Sequence, residues 1–359
     1  MARIVVGMSG GVDSSVAAYL MHREGHEVIG VFMNNWDEQD DSGVCTSERD
    51  WADVREVCDV IGIPYYAVNF AAEYRERVFS HFLAEYRKGR TPNPDVLCNR
   101  EIKFNVFLDF AKKLGAEALV TGHFANIGRD GAEYTLLRAA DENKDQTYFL
   151  YMIGQPALSM ARFPLGGMLK SEVRAIAREA GIPVSEKKDS TGVCFIGERN
   201  FKRFLSEYLP AQPGDMVTRS GEVVGRHDGL MYYTLGQRRG LGIGGGGNGQ
   251  RGFVIGKDLE RNRLVVSQGE DDALFARAAT GSEATWLAGR PPVEPGEALS
   301  CQVRLRHRQP LQGCRLTLDG AGGVRMAFDA PQRAVTPGQS AVFYLDQVCL
   351  GGAIVDFAE

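Results

Sequence analysis

Three short stretches of this chain carry side chains able to do chemistry. The first is Ser9-Gly10-Gly11-Val12-Asp13-Ser14-Ser15, which follows an apolar run and opens a helical pattern. Glycines let the backbone turn tightly and expose its N–H groups. The hydroxyls of Ser9, Ser14 and Ser15 add donors, and a helix N-terminus adds partial positive charge. Such a loop suits a pyrophosphate. No Gly-Lys-Ser/Thr follows, so it is not a Walker A loop. The bland alternative is an ordinary serine-capped turn between a strand and a helix.

The second stretch is Thr91-Pro92-Asn93-Pro94-Asp95-Val96-Leu97-Cys98-Asn99. Pro92 and Pro94 bias Thr91 and Asn93 away from helix and stiffen the chain. Cys98 is expected at the start of a helix, where N–H groups and the local dipole favour a thiolate. Asp95, three residues earlier, is placed to act there as a general acid or base. The third stretch is Asp189-Ser190-Thr191-Gly192-Val193-Cys194-Phe195-Ile196-Gly197-Glu198-Arg199. Its Ser, Thr and Gly content implies a loop, and a loop can carry a thiol to a site. Taken singly, either cysteine is more often an inert core residue.

Periodicity supplies the frame for these residues. Strand patterns cover 3–8, 27–33, 65–70 and 118–121, and helical patterns cover 13–23, 47–61, 72–88 and 100–114. Repeated βα units predict an α/β fold with a parallel sheet covered by helices on both faces. Asp130-Gly131 between 124–127 and 134–137 predicts a hairpin, and helices are expected over 170–180 and 200–209. After Pro210, turn pairs such as Pro213-Gly214 and Asp228-Gly229 punctuate short apolar segments. Strand patterns over 299–306, 313–318, 323–328, 340–345 and 349–355 then fit a small β-barrel. The expected organisation is a catalytic domain over 1–200, a small central domain over 201–278 and a C-terminal barrel over 279–359.

Composition narrows the function classes. A chain of 359 residues exceeds one ordinary core. Seven scattered cysteines without a C-x-x-C pair argue against a disulfide framework, a zinc ribbon or an iron–sulfur site. No dedicated metal site is expected. No apolar run is long enough to span a membrane, and the first residues lack signal-peptide anatomy. A cytoplasmic protein without a membrane partner is expected. The net charge of −5 speaks against a nucleic-acid partner, yet Arg304, Arg306, Arg308, Arg315, Arg325 and Arg333 crowd one segment. A local basic surface binds phosphate despite an acidic total. Gly240-Leu241-Gly242-Ile243-Gly244-Gly245 matches GxGxxG but lacks the strand and helix that give that motif meaning.

Residues 9–15 match the SGGxDS signature of the PP-loop ATP pyrophosphatases, whose domain is of the adenine nucleotide alpha hydrolase type. The shared chemistry of that group implies attack on the α-phosphate of ATP, transfer of AMP and release of pyrophosphate. With TPNPDxLCN and DSTGVCFIGER following in order, nearly the whole chain resembles the tRNA-specific 2-thiouridylases. Asn143-Lys144-Asp145-Gln146-Thr147-Tyr148-Phe149-Leu150 and Thr336-Pro337-Gly338-Gln339-Ser340-Ala341-Val342-Phe343 extend the likeness.

The resemblance implies ATP with Mg²⁺ at Gly7, Met8, Ser9, Gly10, Gly11, Val12, Asp13 and Ser14, with Met33 and Gly122 beside the nucleotide. It implies Cys194 as the carrier of a persulfide received from a donor protein, Cys98 as its partner cysteine and Asp95 as a proton shuttle. It places Asn93, Pro94, Asp95, His123, Lys144, Asp145, Gln146, Arg306, His307 and Gln339 in contact with tRNA. Sulfur would replace the 2-oxygen of an adenylated wobble uridine, leaving a Cys98–Cys194 disulfide for reduction. Either the persulfide or sulfide released from it attacks. The other readings are an amidating ligase on the same loop and a non-catalytic tRNA-binding protein.

Overall fold

Strand β1 (Arg3–Met8) is buried on both sides: Ile4, Val6 and Met8 enter one core and Val5 the other. A strand of that kind requires a sheet covered twice. A computed structural model, which describes residues 1–36, 46–189, 201–243 and 252–359, has that sheet. It runs β3 (Tyr65–Asn69), β2 (Glu27–Asn34), β1, β4 (Ala118–Val120) and a short strand Ala161–Arg162, all parallel. On one face lie α1 (Val12–Arg23), α2 (Thr46–Ile61) and the helix Lys170–Glu179, through Val16, Val57 and Val173. The opposite face is covered by Tyr74, Val78, Phe82, Ile102 and Phe107. Cys58 packs in the first of these layers and its thiol is pushed up to about 12 by burial and by Asp59, so it is inert.

The barrel has six strands: Phe275–Trp286, Val324–Arg333, Gln312–Leu318, Ala298–Arg304, Ser340–Leu345 and Val348–Ala358. Pairing of the last with the first closes it. The first strand has no counterpart among the sequence patterns. Its residues, FARAATGSEATW, are too small to alternate visibly, although every other one near its start is buried. Between barrel and sheet lies a four-stranded unit of Gly214–Val217, Val223–His227, Gly252–Asp258 and Arg263–Gln268 around Met216, Val254, Leu264 and Val266. Gly240 and Gly242 adopt left-handed φ of 76° and 64°, which marks turns and not a dinucleotide motif. Residues 244–249 of the glycine run lie outside the described residues.

The hairpin Asn126–Asp130 and Glu133–Leu137 turns at Gly131, as its sequence requires. Its second strand also pairs with Val348 and Cys349, so a hairpin from the first half extends the barrel sheet. Arg304 then crosses the junction to Asp145 at 2.7 Å, with side chains 4% and 0% exposed. Arg304 is therefore a core ion, and the basic segment anticipated on the surface is smaller by that residue. Thr147 Oγ donates to the same carboxylate at 2.9 Å, and Tyr148 Oη donates to the Ser340 carbonyl at 3.0 Å.

Removing one partner of a buried ion pair leaves the other uncompensated. Arg304→Ala is expected to cost about 3–5 kcal/mol of stability, read from denaturant unfolding. The Arg304→Met, Asp145→Leu double variant should recover much of it. Equal losses in both variants would show that the pair contributes nothing specific.

Candidate active site

The phosphate loop is built by contacts that only small residues permit. Ser14 Oγ donates to the Gly11 carbonyl at 3.2 Å and accepts from the Ser9 N–H at 3.1 Å, and Ser15 Oγ donates to Gly11 at 2.8 Å. These bonds curl residues 9–15 over the start of α1. Gly10 has φ +70°, and a Cβ there would meet the Asp50 carbonyl at 2.7 Å. A Cβ on Gly122, just past β4, would meet the Ser14 nitrogen at 2.6 Å. A Cβ on Gly11 would touch only the Ser9 hydroxyl, at 3.4 Å, so the mouth of the loop is open. This cradle fits a phosphate, and ATP with its Mg²⁺ fits residues 9–15 on that ground. Met8 and Val12 are buried in the core and offer backbone only. Gly7 lies against Phe107 and Met33, at 3.1 and 3.6 Å from where its Cβ would stand.

Cations that the sequence did not reveal surround the loop. Lys170 reaches Asp13 at 2.6 Å and Asp189 at 2.8 Å. Lys187 binds Asp50 at 2.8 Å and Asp53 at 2.6 Å and donates to the Gly10 carbonyl at 3.0 Å. Burial raises the Asp13 carboxyl above its usual range, against the pull of Lys170. Lys170 did leave a trace in the sequence. A lysine in the first turn of a helix opposes the dipole and needs an anion nearby.

Pro94–Leu97 begins the helix, with the Asn93 side chain accepting from the Asp95 N–H at 3.2 Å. Cys98 is thus one turn inside and buried, not at the N-terminus as expected. From Cys98 to Val106 the turns widen to i→i+5 bonding, with Phe104 at φ −101°, ψ 16°. Such widening is frequent at functional sites. Asp95 is half-buried, and desolvation raises its pKa while the Lys103 charge opposes the rise. Lys103 also faces His123, whose Nδ1 lies 2.7 Å from Thr121 Oγ1. Burial, then Lys103, hold His123 well below its ordinary pKa, so it is neutral. Because His123 follows Gly122 it stands beside the phosphate loop, and the Lys103 charge acts on both His123 and Asp95. The loop lies at the carboxyl end of the parallel strands, the usual ligand position of such sheets.

Other candidate residues join the two halves. Gln339 Nε2 donates to the Thr91 carbonyl at 2.7 Å, and the Thr91 N–H donates to Pro337 at 2.9 Å. Gln146 pairs with the Phe124 backbone at 2.9 and 2.8 Å. Asp145 is wholly buried, His307 Nε2 lies 3.1 Å from the Asp145 carbonyl, and exposed Arg306 donates to the Ala334 carbonyl at 3.0 Å. Lys144 pairs with Asp189 at 2.6 Å. Cys194 lies outside the described residues. No disulfide joins two described residues, although Cys301 and Cys314 face each other with sulfurs 3.6 Å apart.

Family models match along the chain: a tRNA methyl transferase HUP domain over residues 2–198, a tRNA methyl transferase PRC-barrel domain over 202–268 and an aminomethyltransferase beta-barrel domain over 276–355. Fold and loop together define a PP-loop protein with a nucleotide-binding HUP domain and two appended β units. The tRNA-specific 2-thiouridylase MnmA of Alkaliphilus oremlandii is 56% identical over 99% of this chain and 97% of its own. That of Bacillus subtilis is 56% identical over 99% and 95%. The chain belongs to the tRNA-specific 2-thiouridylase family. A solved NMN synthetase from Francisella tularensis is a distant likeness, at 16% identity and TM-score 0.35 over 56% of this chain and 71% of that one.

Two measurements test this geometry. Gly122→Ala should weaken ATP affinity at least about tenfold, since a Cβ overlapping the Ser14 nitrogen must push the loop outward, and about 1.4 kcal/mol of strain suffices. Unchanged binding in equilibrium dialysis would contradict the close approach. His123 titrates lower folded than unfolded. Above its unfolded pKa of about 6.5 the group is neutral in both states and costs nothing. As pH falls below that value only the unfolded chain gains the proton, so folding weakens by up to about 1.4 kcal/mol per pH unit. His123→Gln should remove that part of the slope between pH 6.5 and 5.

Proposed function

We propose that this chain makes 2-thiouridine at the wobble position of tRNA, using ATP and sulfur delivered as a cysteine persulfide by a donor protein. One observation carries the reading: Gly122 closes on the phosphate loop, and its neighbour His123 shares the nearby charge of Lys103 with Asp95 of the Asn93–Cys98 segment, within a chain 56% identical to named 2-thiouridylases. The uracil 2-oxygen attacks the α-phosphate of ATP and pyrophosphate leaves. Carbon 2 then carries an AMP leaving group in place of a poor one. The outer sulfur of the Cys194 persulfide bonds to that carbon. The Cys98 thiolate attacks the inner sulfur, the S–S bond breaks, AMP departs, and a Cys98–Cys194 disulfide remains. A thiol reductant returns two electrons for the next cycle. Asp95, its pKa raised by burial, moves the proton, and Lys103 balances its charge.

In this reading residues 1–200 do the chemistry, and the central and C-terminal units orient the tRNA. The base must leave its stack to reach Cys98. Phosphates meet Lys144, His307 and Arg306, and Asn93, Pro94, Asp95, His123, Gln146 and Gln339 shape the surface the base enters. Asp145, expected to contact tRNA, is buried and supports that surface from below through Arg304 and His307. No described helix is long and apolar enough to cross a membrane, and the work is assigned to the cytoplasm, where tRNA is modified. An amidating ligase on the same loop would not depend on Cys98.

The test is purified protein with ATP, Mg²⁺, a persulfide donor and unmodified tRNA, followed by nucleoside mass spectrometry. Wild type should form 2-thiouridine. Cys194→Ser should neither load sulfur nor thiolate. Cys98→Ser should load sulfur on Cys194 and stop there. Both should bind ATP normally. Wild-type rates in both variants would refute the paired-cysteine mechanism.

A further inference from the structure

A charge chain of alternating sign runs from a basic cleft to the phosphate loop. The cleft, of about 560 Å³, is lined by Arg138, Lys144, His307 and Arg308, with Glu142 as its acidic member. Lys144 turns from that wall to Asp189 Oδ2 at 2.6 Å. Asp189 Oδ1 is held by Lys170 at 2.8 Å and Arg174 at 2.9 Å. Lys170 ends the chain on Asp13 of the loop, at 2.6 Å. One carboxylate thus divides itself among three cations, two of which belong to different anion sites.

An anion that takes Lys144 leaves Asp189 to Lys170 and Arg174, which tightens its hold on Lys170. A phosphate on the loop that takes Lys170 tightens the hold of Asp189 on Lys144 by the same reasoning. Binding free energies are reciprocal, so the two effects are one coupling. We propose that Asp189 is a positioning residue that sets ATP phosphates at residues 9–15 and a tRNA phosphate in the basic cleft against each other, by making them draw on one shared set of cations. The inference rests on the reading above that ATP and tRNA bind at these places. It gives the antagonism a use. When pyrophosphate leaves, Lys170 returns to Asp189, Lys144 is released to the tRNA, and the adenylated base is held most firmly when its loss would be most wasteful.

The experiment measures affinity for α,β-methylene ATP with Mg²⁺, with and without saturating unmodified tRNA, at fixed low ionic strength, since salt screens such coupling. In the wild type tRNA should weaken the analogue roughly fivefold. Asp189→Asn should bring that ratio close to one while each ligand alone binds more tightly. Lys144→Gln should also bring it close to one, with Asp189 intact and no gain for tRNA. Thermal melts of both variants check folding. Direct repulsion between the ligands would survive in Asp189→Asn, so a wild-type ratio in either variant overturns the proposal. A wild-type ratio of one, or tighter binding with tRNA, overturns it as well. Failure of the wild type to bind the analogue or the tRNA at all would instead overturn the functional reading beneath it.

Discussion

The seating of the barrel on the HUP domain depends on the buried pair of Asp145 and Arg304. An ion pair this deep is a poor source of net stability, because desolvation offsets much of the attraction. Its strength is directional. Asp145 also accepts from Thr147 Oγ and the Ala139 N–H, at 2.9 and 3.2 Å, so its carboxylate admits one orientation of Arg304 and hence one placement of the strand Ala298–Arg304. Apolar packing alone would tolerate sliding. The Glu133–Leu137 strand, paired with Val348 and Cys349, adds register to the same junction.

That placement reaches the Thr91–Cys98 segment through a second contact. The turn at Gly338, with φ +89°, approaches so closely that a Cβ there would stand 2.9 Å from the Thr91 nitrogen. Pro337 and Gln339 bond the Thr91 backbone from either side of it. Thr91 leads into Pro92 and Pro94, which leave the chain few conformations before Cys98. The barrel therefore sets where the cysteine-bearing helix begins. A substitution in the 336–339 turn is coupled to Cys98 although it is more than two hundred residues away in sequence.

The α/β frame was legible because buried parallel strands and amphipathic helices write their periods plainly, as in residues 3–8 and 170–180. The barrel was legible in five of its six strands. The strand Phe275–Trp286 was not, since alanine, glycine, serine and threonine bury a face without contrast in hydropathy. The widened turns at 98–106 were invisible for a different reason. No residue type demands i→i+5 bonding, and tertiary packing around Ile102 and Phe104 selects it. The cations of the site were hidden by distance. Lys103 and Lys187 are ordinary in local sequence, Lys170 hints only at some nearby anion through its place in a first helical turn, and only the fold brings the three to Asp95, Asp50 and Asp13.

Those carboxylates also resolve the conflict between an acidic total and an anionic substrate. Near the loop, Asp13, Asp50, Asp53 and Asp189 stand where repulsion of phosphate would be expected. Each is instead bonded to a lysine or arginine, at distances between 2.6 and 2.9 Å. Asp189 is the extreme case: burial would push its pKa up, yet Lys144 and Lys170 hold it well below the usual carboxylate range. A lysine left alone in a half-buried site would lose its proton or swing into solvent. Paired, it stays charged and aimed. The acidic residues are thus what keeps a preformed array of cations beside the loop, and a net charge of −5 is compatible with a site that attracts phosphate.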